Sequence, residues 1–148
     1  MSIMGSDALR VAELSLRGFG CSQILLIRAL EALGKENPDL VRAVSGLHGG
    51  LGFSGKVCGA LAGGACVIAL HAGRGTGDEE EAADLVPLIQ ELVAWFEAEY
   101  APRYGGIDCR DILAGDPRNA TARCPEIIGA VAAKLDELLA RRSADGAF

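Results

Sequence analysis

The sequence predicts an all-α fold: a compact multi-helix bundle around a central helix rich in glycine and alanine. Three observations predict it. Apolar residues recur at three- and four-residue spacing along most of the chain, and strand-type alternation is scarce. Half of the 148 residues are apolar but only 5% are aromatic, so the core has to be built from Leu, Ile, Val and Ala, which favours close helix packing. Glycines fall at most of the expected helix ends, where they can supply left-handed backbone. The length suits one domain over residues 1–148, with its core at about 7–141 and a frayed tail after 142.

A first helix is expected from Asp7 to Arg17, with Leu9, Ala12, Leu14 and Leu16 among its apolar positions, ending at Gly18-Phe19-Gly20. A second runs from about Ser22 to Leu33 and is apolar nearly all round, which places it in the core; Gly34 closes it. Asn37-Pro38-Asp39 opens a short third helix over about Asp39 to Val44. A glycine-rich segment, Gly46 to Gly55, follows. The central helix covers about Lys56 to His71. The next begins near Asp78 and reaches about Tyr100, with Leu85, Leu88, Ile89, Leu92, Val93, Phe96 and Tyr100 on one stripe. Pro87 marks its proper start or a kink, and Pro102 with Gly105-Gly106 ends it. A short helix over Cys109 to Leu113 precedes the last, from about Pro125 to Arg141.

The formal charge is −6, which argues against a nucleic-acid partner. The acidic run Asp78, Glu79, Glu80, Glu81 and Asp84 reads as a solvated helix start. Met1 to Arg10 lacks the pattern of a secretory signal. The uncharged stretch between Lys56 and Arg74 is too short and too glycine-rich for a membrane span, so no membrane insertion is expected. Five cysteines without a signal describe a cytoplasmic protein whose thiols are free, metal-bound or catalytic.

Four of those cysteines fall at or near expected helix starts. Cys21 follows Gly20, Cys58 follows Phe53-Ser54-Gly55, Cys109 opens the short helix, and Cys124 precedes Pro125, which suits a first helical position and makes Cys124 an N-cap or close to one. Free N–H groups and the helix dipole stabilise a thiolate there and lower its pKa. No CxxC pair is present, so the four have to converge from separate helices. The thiolates could then serve as catalytic thiols or as ligands of a metal or iron–sulfur centre. Gly59 and Gly63, with Gly55 before them, are costly in a helix and predict close approach of a neighbouring backbone or a cofactor. Cys66, mid-helix, reads as structural. His48 in the glycine loop is a candidate ligand or proton shuttle; His71, near a helix C-terminus, has a surface role.

These residues resemble the C-GCAxxG-C-C family of redox-active proteins: Cys21 in Gly18-Phe19-Gly20-Cys21-Ser22-Gln23, the box Cys58-Gly59-Ala60-Leu61-Ala62-Gly63, Cys109 in Ile107-Asp108-Cys109-Arg110-Asp111, and Cys124 with Pro125. The likeness covers roughly Asp7 to Leu139. It implies a bacterial or archaeal redox module without an established substrate, and a module like it accompanies an iron–sulfur centre in split-Soret-type cytochromes. This chain has no CxxCH for haem, and it adds Cys66 and His48. Together the residues and the resemblance favour an iron–sulfur centre, [2Fe–2S] in type, held by Cys21, Cys58, Cys109 and Cys124 for electron transfer or redox sensing with an unknown redox partner protein. The alternatives are a thiol–disulfide oxidoreductase with Cys58 attacking and Cys109 and Cys124 as a pair, and a non-redox ligand- or structural-metal-binding module. A homodimer fits a small helical module.

Overall fold

The structure, a computed structural model, describes residues 3–144, with side chains described for 7–142. It is all-α, and among the described residues the only β-pairing is an isolated antiparallel bridge between Val57 and Asp108. The order is α1 (Ile3–Leu16), α2 (Cys21–Ala32), α3 (Pro38–Val44), a 3₁₀ turn (Ser45–Leu47), α4 (His48–Leu51), α5 (Gly59–Ala72), α6 (Leu85–Tyr104), α7 (Cys109–Leu113), a second 3₁₀ turn (Pro117–Asn119) and α8 (Ala120–Ala144).

Helix α5 is the axis of the bundle and packs on α2, α6 and α8. Its glycines explain how it fits between them. A Cβ at Gly63 would lie 2.7 Å from the Cα of Ser22 in α2. About 100° further round the helix, a Cβ at Gly64 would meet Val131 of α8 and Leu92 of α6 at 3.0 and 3.1 Å. Missing side chains at both positions therefore bring three helices close to one. The deepest residues, Ile68, Leu92, Phe96, Val131 and Leu138, surround this axis.

Ser22 is wholly buried at the α2–α5 contact, and its hydroxyl donates to the Val44 carbonyl at 2.8 Å. Ser22→Ala removes that buried hydrogen bond. The expected cost is about 1 kcal/mol, read as a fall of roughly 2–4 °C in melting temperature.

Several expectations hold at their ends. Asn37 caps α3 by accepting from the Leu40 N–H at 3.1 Å. Gly34 is left-handed (φ +67°), and the Lys35 N–H reaches the Leu30 carbonyl at 2.9 Å, a Schellman closure of α2.

Others are corrected. α1 ends at Leu16 and buries Val11 and Leu14; Leu9 and Leu16 are exposed. At 100° per residue, Leu9 and Leu16 stand about 200° from Val11 and Leu14 respectively, on the far face. α6 starts at Leu85, not near Asp78, and Glu79 to Glu81 are exposed outside it. Only Asp84 sits at the helix start, where its carboxylate accepts from Arg142 Nε at 2.7 Å. Pro87 lies in the first turn. Pro102 is carried inside the last turn, and left-handed Gly105 ends the helix by donating to Ala101 at 2.9 Å. α8 continues through Ala144, and the rest of the tail expected to fray, residues 145–148, lies outside the described residues.

Candidate functional site

The site is built at the N-terminal end of α5, where the glycine loop folds back on itself. The Gly55 and Lys56 N–H groups donate to Gly49 and Gly50 at 3.1 Å each. Gly49, Gly50, Gly52 and Gly55 all have φ between +61° and +73°, the left-handed region that a Cβ resists. The far end of the loop then pairs with the start of α7. The Cys109 N–H donates to the Lys56 carbonyl at 2.6 Å, and the Arg110 N–H to Gly55 at 3.2 Å. This short pairing, which includes the Val57–Asp108 bridge, places the segments bearing Cys58 and Cys109 side by side.

Cys21 is the first residue of α2, Cys58 the N-cap of α5 and Cys109 the first residue of α7. Cys124 departs from expectation: α8 begins at Ala120, so Cys124 is its fifth residue and not a cap. The start signal is Asp116-Pro117. The Asp116 carboxylate accepts from the Arg118 N–H at 3.0 Å and opens the 3₁₀ turn that runs into α8. Pro125 is the sixth residue of α8 and is carried inside the helix.

All five cysteines are free thiols. Four of them interact electrostatically. Burial is the largest cause that raises Cys21, Cys58 and Cys124; after it, Cys21 is raised by Cys124 and Cys109, Cys58 by Cys21 and Cys109, and Cys124 by Cys58 and Cys109, so each pair among the four lies within electrostatic reach. Cys66 is outside this set; it packs against the small cluster of Leu26, Leu30 and Val44, and burial alone raises its thiol.

The helix-start argument for lowered pKa values is overturned. Backbone N–H groups do favour the thiolate, from Gly49 and Ser22 at Cys21 and from Ala60 and Leu61 at Cys58. Burial outweighs them and pushes Cys21, Cys58 and Cys124 up to about 11. Cys109 is raised too, by burial and then by Asp108. At neutral pH the reduced, metal-free site therefore holds neutral thiols.

A stability prediction follows. An unfolded thiol releases its proton near pH 9, while these folded thiols keep theirs. Stability is therefore complete below about pH 9 and is lost as pH climbs toward 11. Thermal melts of reduced, metal-free protein at pH 7.5 and 10.5 check this, and Cys58→Ala should flatten the difference.

The three glycines assigned to close approach are approached by the chain itself, not by open space. A Cβ at Gly55 would meet Arg110 Cβ at 3.2 Å; one at Gly63 would meet Ser22. One at Gly59 would overlap the Cys21 sulfur and lie 3.0 Å from both His48 Cα and the Leu47 carbonyl. Gly59 thus makes room for Cys21 beside Cys58.

His48 leans over Gly20, where a Cβ would overlap its Nδ1. That Nδ1 is buried and has no hydrogen-bond partner. Sequence reasoning missed Gly20 and Phe53 as parts of this arrangement; the His48 and Phe53 ring centroids are 5.3 Å apart. His71 lies at the other end of α5, its pKa lowered by burial and by Arg142 and Lys35. An open groove of about 630 Å³ runs past Leu14, Phe19, Ile27 and Val41, and none of the five cysteines lines it.

Soft thiolates suit iron–sulfur clusters and zinc alike. A single tetrahedral ion needs ligands about 2.3 Å from one point. Among the described residues no three His, Cys, Asp or Glu side chains form a group that could hold one metal ion. A two-iron cluster asks for four cysteines in all, shared between two irons bridged by sulfide, a requirement of pairs that the coupled set of four does not contradict.

An all-helical protein with Cys21 opening α2, Cys58 capping the central α5, Cys109 opening α7 and Cys124 in the second turn of α8 belongs to the class of cysteine-bearing helical modules. The chain is a member of the family described as "Putative redox-active protein (C_GCAxxG_C_C)", which matches residues 19–138. No curated protein and no solved structure matches it. No helix of the described residues is long and apolar enough to cross a membrane.

Proposed function

We propose that this protein carries electrons or senses redox state through one centre made by Cys21, Cys58, Cys109 and Cys124, and that the centre is an iron–sulfur cluster of the [2Fe–2S] type. The observation that carries this reading is that separate segments bring cysteines together: the Cys21 sulfur packs on Gly59 beside Cys58, the Val57–Asp108 bridge sets Cys109 alongside, and Cys124 lies close enough to influence the other thiols. Buried neutral thiols lower their joint cost when a soft cation takes their protons, because a coordinating thiol is deprotonated outright. The cluster would supply the electron-accepting chemistry. The chain would supply the four ligands, the N–H groups of Gly49, Ser22, Ala60 and Leu61 that favour negative sulfur, and the packed Gly59–Gly63 face that keeps water out. Residues 7–141 then act as one domain around the centre, and free thiols fit the bacterial cytoplasm.

Anaerobic purification, or reconstitution with iron and sulfide, tests this. The expected result is a brown protein with visible absorption that bleaches on adding dithionite. A colourless protein that takes up no iron contradicts it.

The second reading is a thiol–disulfide switch, favoured by the freedom of all five thiols and by the lack of a single-ion site. Two thiols would join as a disulfide, releasing two protons and passing two electrons to an acceptor disulfide. Cys58 is the wrong attacker here, because it is buried and its thiol is pushed up to about 11. Cys109, whose sulfur is more open, is the better one. Thiol counting by alkylation and mass spectrometry under reducing and oxidising conditions selects between the readings: a loss of two thiols on oxidation, without iron, favours the switch.

A further inference from the structure

We propose that the loop carrying Leu51 and Phe53, with Lys56 and Arg110 on its rim, is the docking surface for a small acidic electron-carrier protein. The inference rests on the redox-centre reading and adds the chemistry of the partner.

Leu51 is 49% and Phe53 81% exposed. Both have left-handed backbone, φ +66° and +64°, a conformation that branched and bulky side chains resist. The loop therefore holds two bulky apolar side chains out into water against both hydration and backbone preference. Phe53 is nonetheless ordered by contact, since its ring occupies the space a Cβ would take at Gly49. Beyond Phe53 lies the His48 ring, and beyond His48 lie Gly20 and its neighbour Cys21. Two rings thus lead from the exposed patch to the first of the four cysteines.

Charge gives the partner its sign. Arg10, Arg28, Arg42, Arg103, Arg118, Lys134, Arg141 and Arg142 all have carboxylate partners. Among the described residues Lys56, Arg110 and Arg123 have no salt bridge, as is also true of Arg17, Lys35 and Arg74 elsewhere. Lys56 stands two residues before Cys58, Arg110 one after Cys109, and Arg123 one before Cys124. Arg110 Nε donates to the Gly55 carbonyl at 3.1 Å, and Arg123 donates to the Ile112 carbonyl at 2.6 Å and lies over the Tyr104 ring, so neither is held by a carboxylate. The nearby acids are Asp108 and Asp111, and Asp111 accepts from the Asp108 N–H at 3.2 Å. The exposed run Asp78 to Glu81 lies past the far end of the 14-residue α5, about 20 Å from Cys58 along the helix. Three of the six cations without a salt bridge thus flank the cysteines, outnumbering Asp108 and Asp111 there, while the exposed acidic run lies at the other end; that arrangement attracts an acidic partner to the thiol end and turns it the right way round. Electron-transfer encounters use small interfaces, and an apolar pair with a cationic rim suits one. With a centre held by Cys21, Cys58, Cys109 and Cys124, one electron would pass to it from the partner's reduced centre, with no bond made or broken.

The test uses the full-length chain, a purified acidic [2Fe–2S] ferredoxin as probe and basic cytochrome c as counter-probe. Binding is measured against salt, and reduction of the chain's centre is followed by stopped flow with reduced ferredoxin and, separately, with dithionite. Ferredoxin should bind and cytochrome c should not, and binding should weaken steeply with added salt. Phe53→Asn, which keeps a left-handed residue, and Lys56→Glu should each weaken ferredoxin binding about tenfold, with unchanged melting temperatures and unchanged reduction by dithionite. Ferredoxin binding that is absent, or equal in all variants, overturns the docking surface. So does a salt-sensitive dimer of the chain that Lys56→Glu dissolves, since a second copy would then own the patch. A centre that dithionite cannot reduce sinks the redox-centre reading instead.

Discussion

Cys58→Ala is expected to abolish the redox centre while leaving the fold standing. Cys58 caps the central helix, is 8% exposed, and is coupled to Cys21, Cys109 and Cys124. It is the one buried thiol of the four, the other three being partly exposed. Losing a ligand costs more than losing a supporting contact, so affinity for the cluster should fall by more than about 100-fold. The fold should lose little, because alanine fills most of the same space and the cap makes no side-chain hydrogen bond. Cys66→Ala is the control: that thiol packs among Leu26, Leu30 and Val44 and takes no part in the coupled set. Iron content and visible absorption, measured beside the melting temperature, separate loss of the centre from loss of structure.

Gly63→Leu is expected to have the largest effect on stability. A Cβ there would sit 2.7 Å from Ser22 Cα and 3.3 Å from its carbonyl oxygen. Those atoms are backbone and cannot rotate away, so α2 and α5 have to separate. Overpacking costs about 1–3 kcal/mol, and the Ser22–Val44 hydrogen bond adds about 1 kcal/mol when α2 shifts. The melting temperature should fall by roughly 10 °C, and the thiols of Cys21 and Cys58, carried by the two displaced helices, should become quick to alkylate. Gly129→Ala in α8 provides the contrast. A Cβ there meets nothing within 4 Å, so the better helix former should stabilise the protein by up to about 1 kcal/mol. Equal melting temperatures for the wild type and Gly63→Leu would show that the glycine face does not set the helix spacing.

Much of this architecture was legible because local chemistry and global packing agree. The 3.6-residue stripe of α6, the Asn37-Pro38 start of α3, the Gly34 closure and the small-residue face of α5 all act within a few residues of where they are written. The four cysteines were legible as a set because each lies beside a glycine, a helix start or a proline. What was missed depends on contacts distant in sequence. The start of α8 went to Pro125 because a proline beside a cysteine is conspicuous, while Asp116-Pro117 carried the actual capping carboxylate. Thiol acidity was misjudged because local N–H groups can be inferred from a helix start but burial cannot; it depends on how α2, α5, α7 and α8 close around the sulfurs. The places of Gly20 and Gly59 beside His48 and Cys21 were hidden for the same reason, since a glycine does not announce which distant side chain needs its space.

Native mass spectrometry of anaerobically reconstituted protein tests the shared centre most directly. The wild type and Cys66→Ser should each carry the added mass of two irons and two sulfides per chain, and Cys21→Ser, Cys58→Ser, Cys109→Ser and Cys124→Ser should each run at the bare mass. A cluster that survives in any of those four variants, or a wild type that stays bare throughout, would contradict a centre held jointly by the four sulfurs.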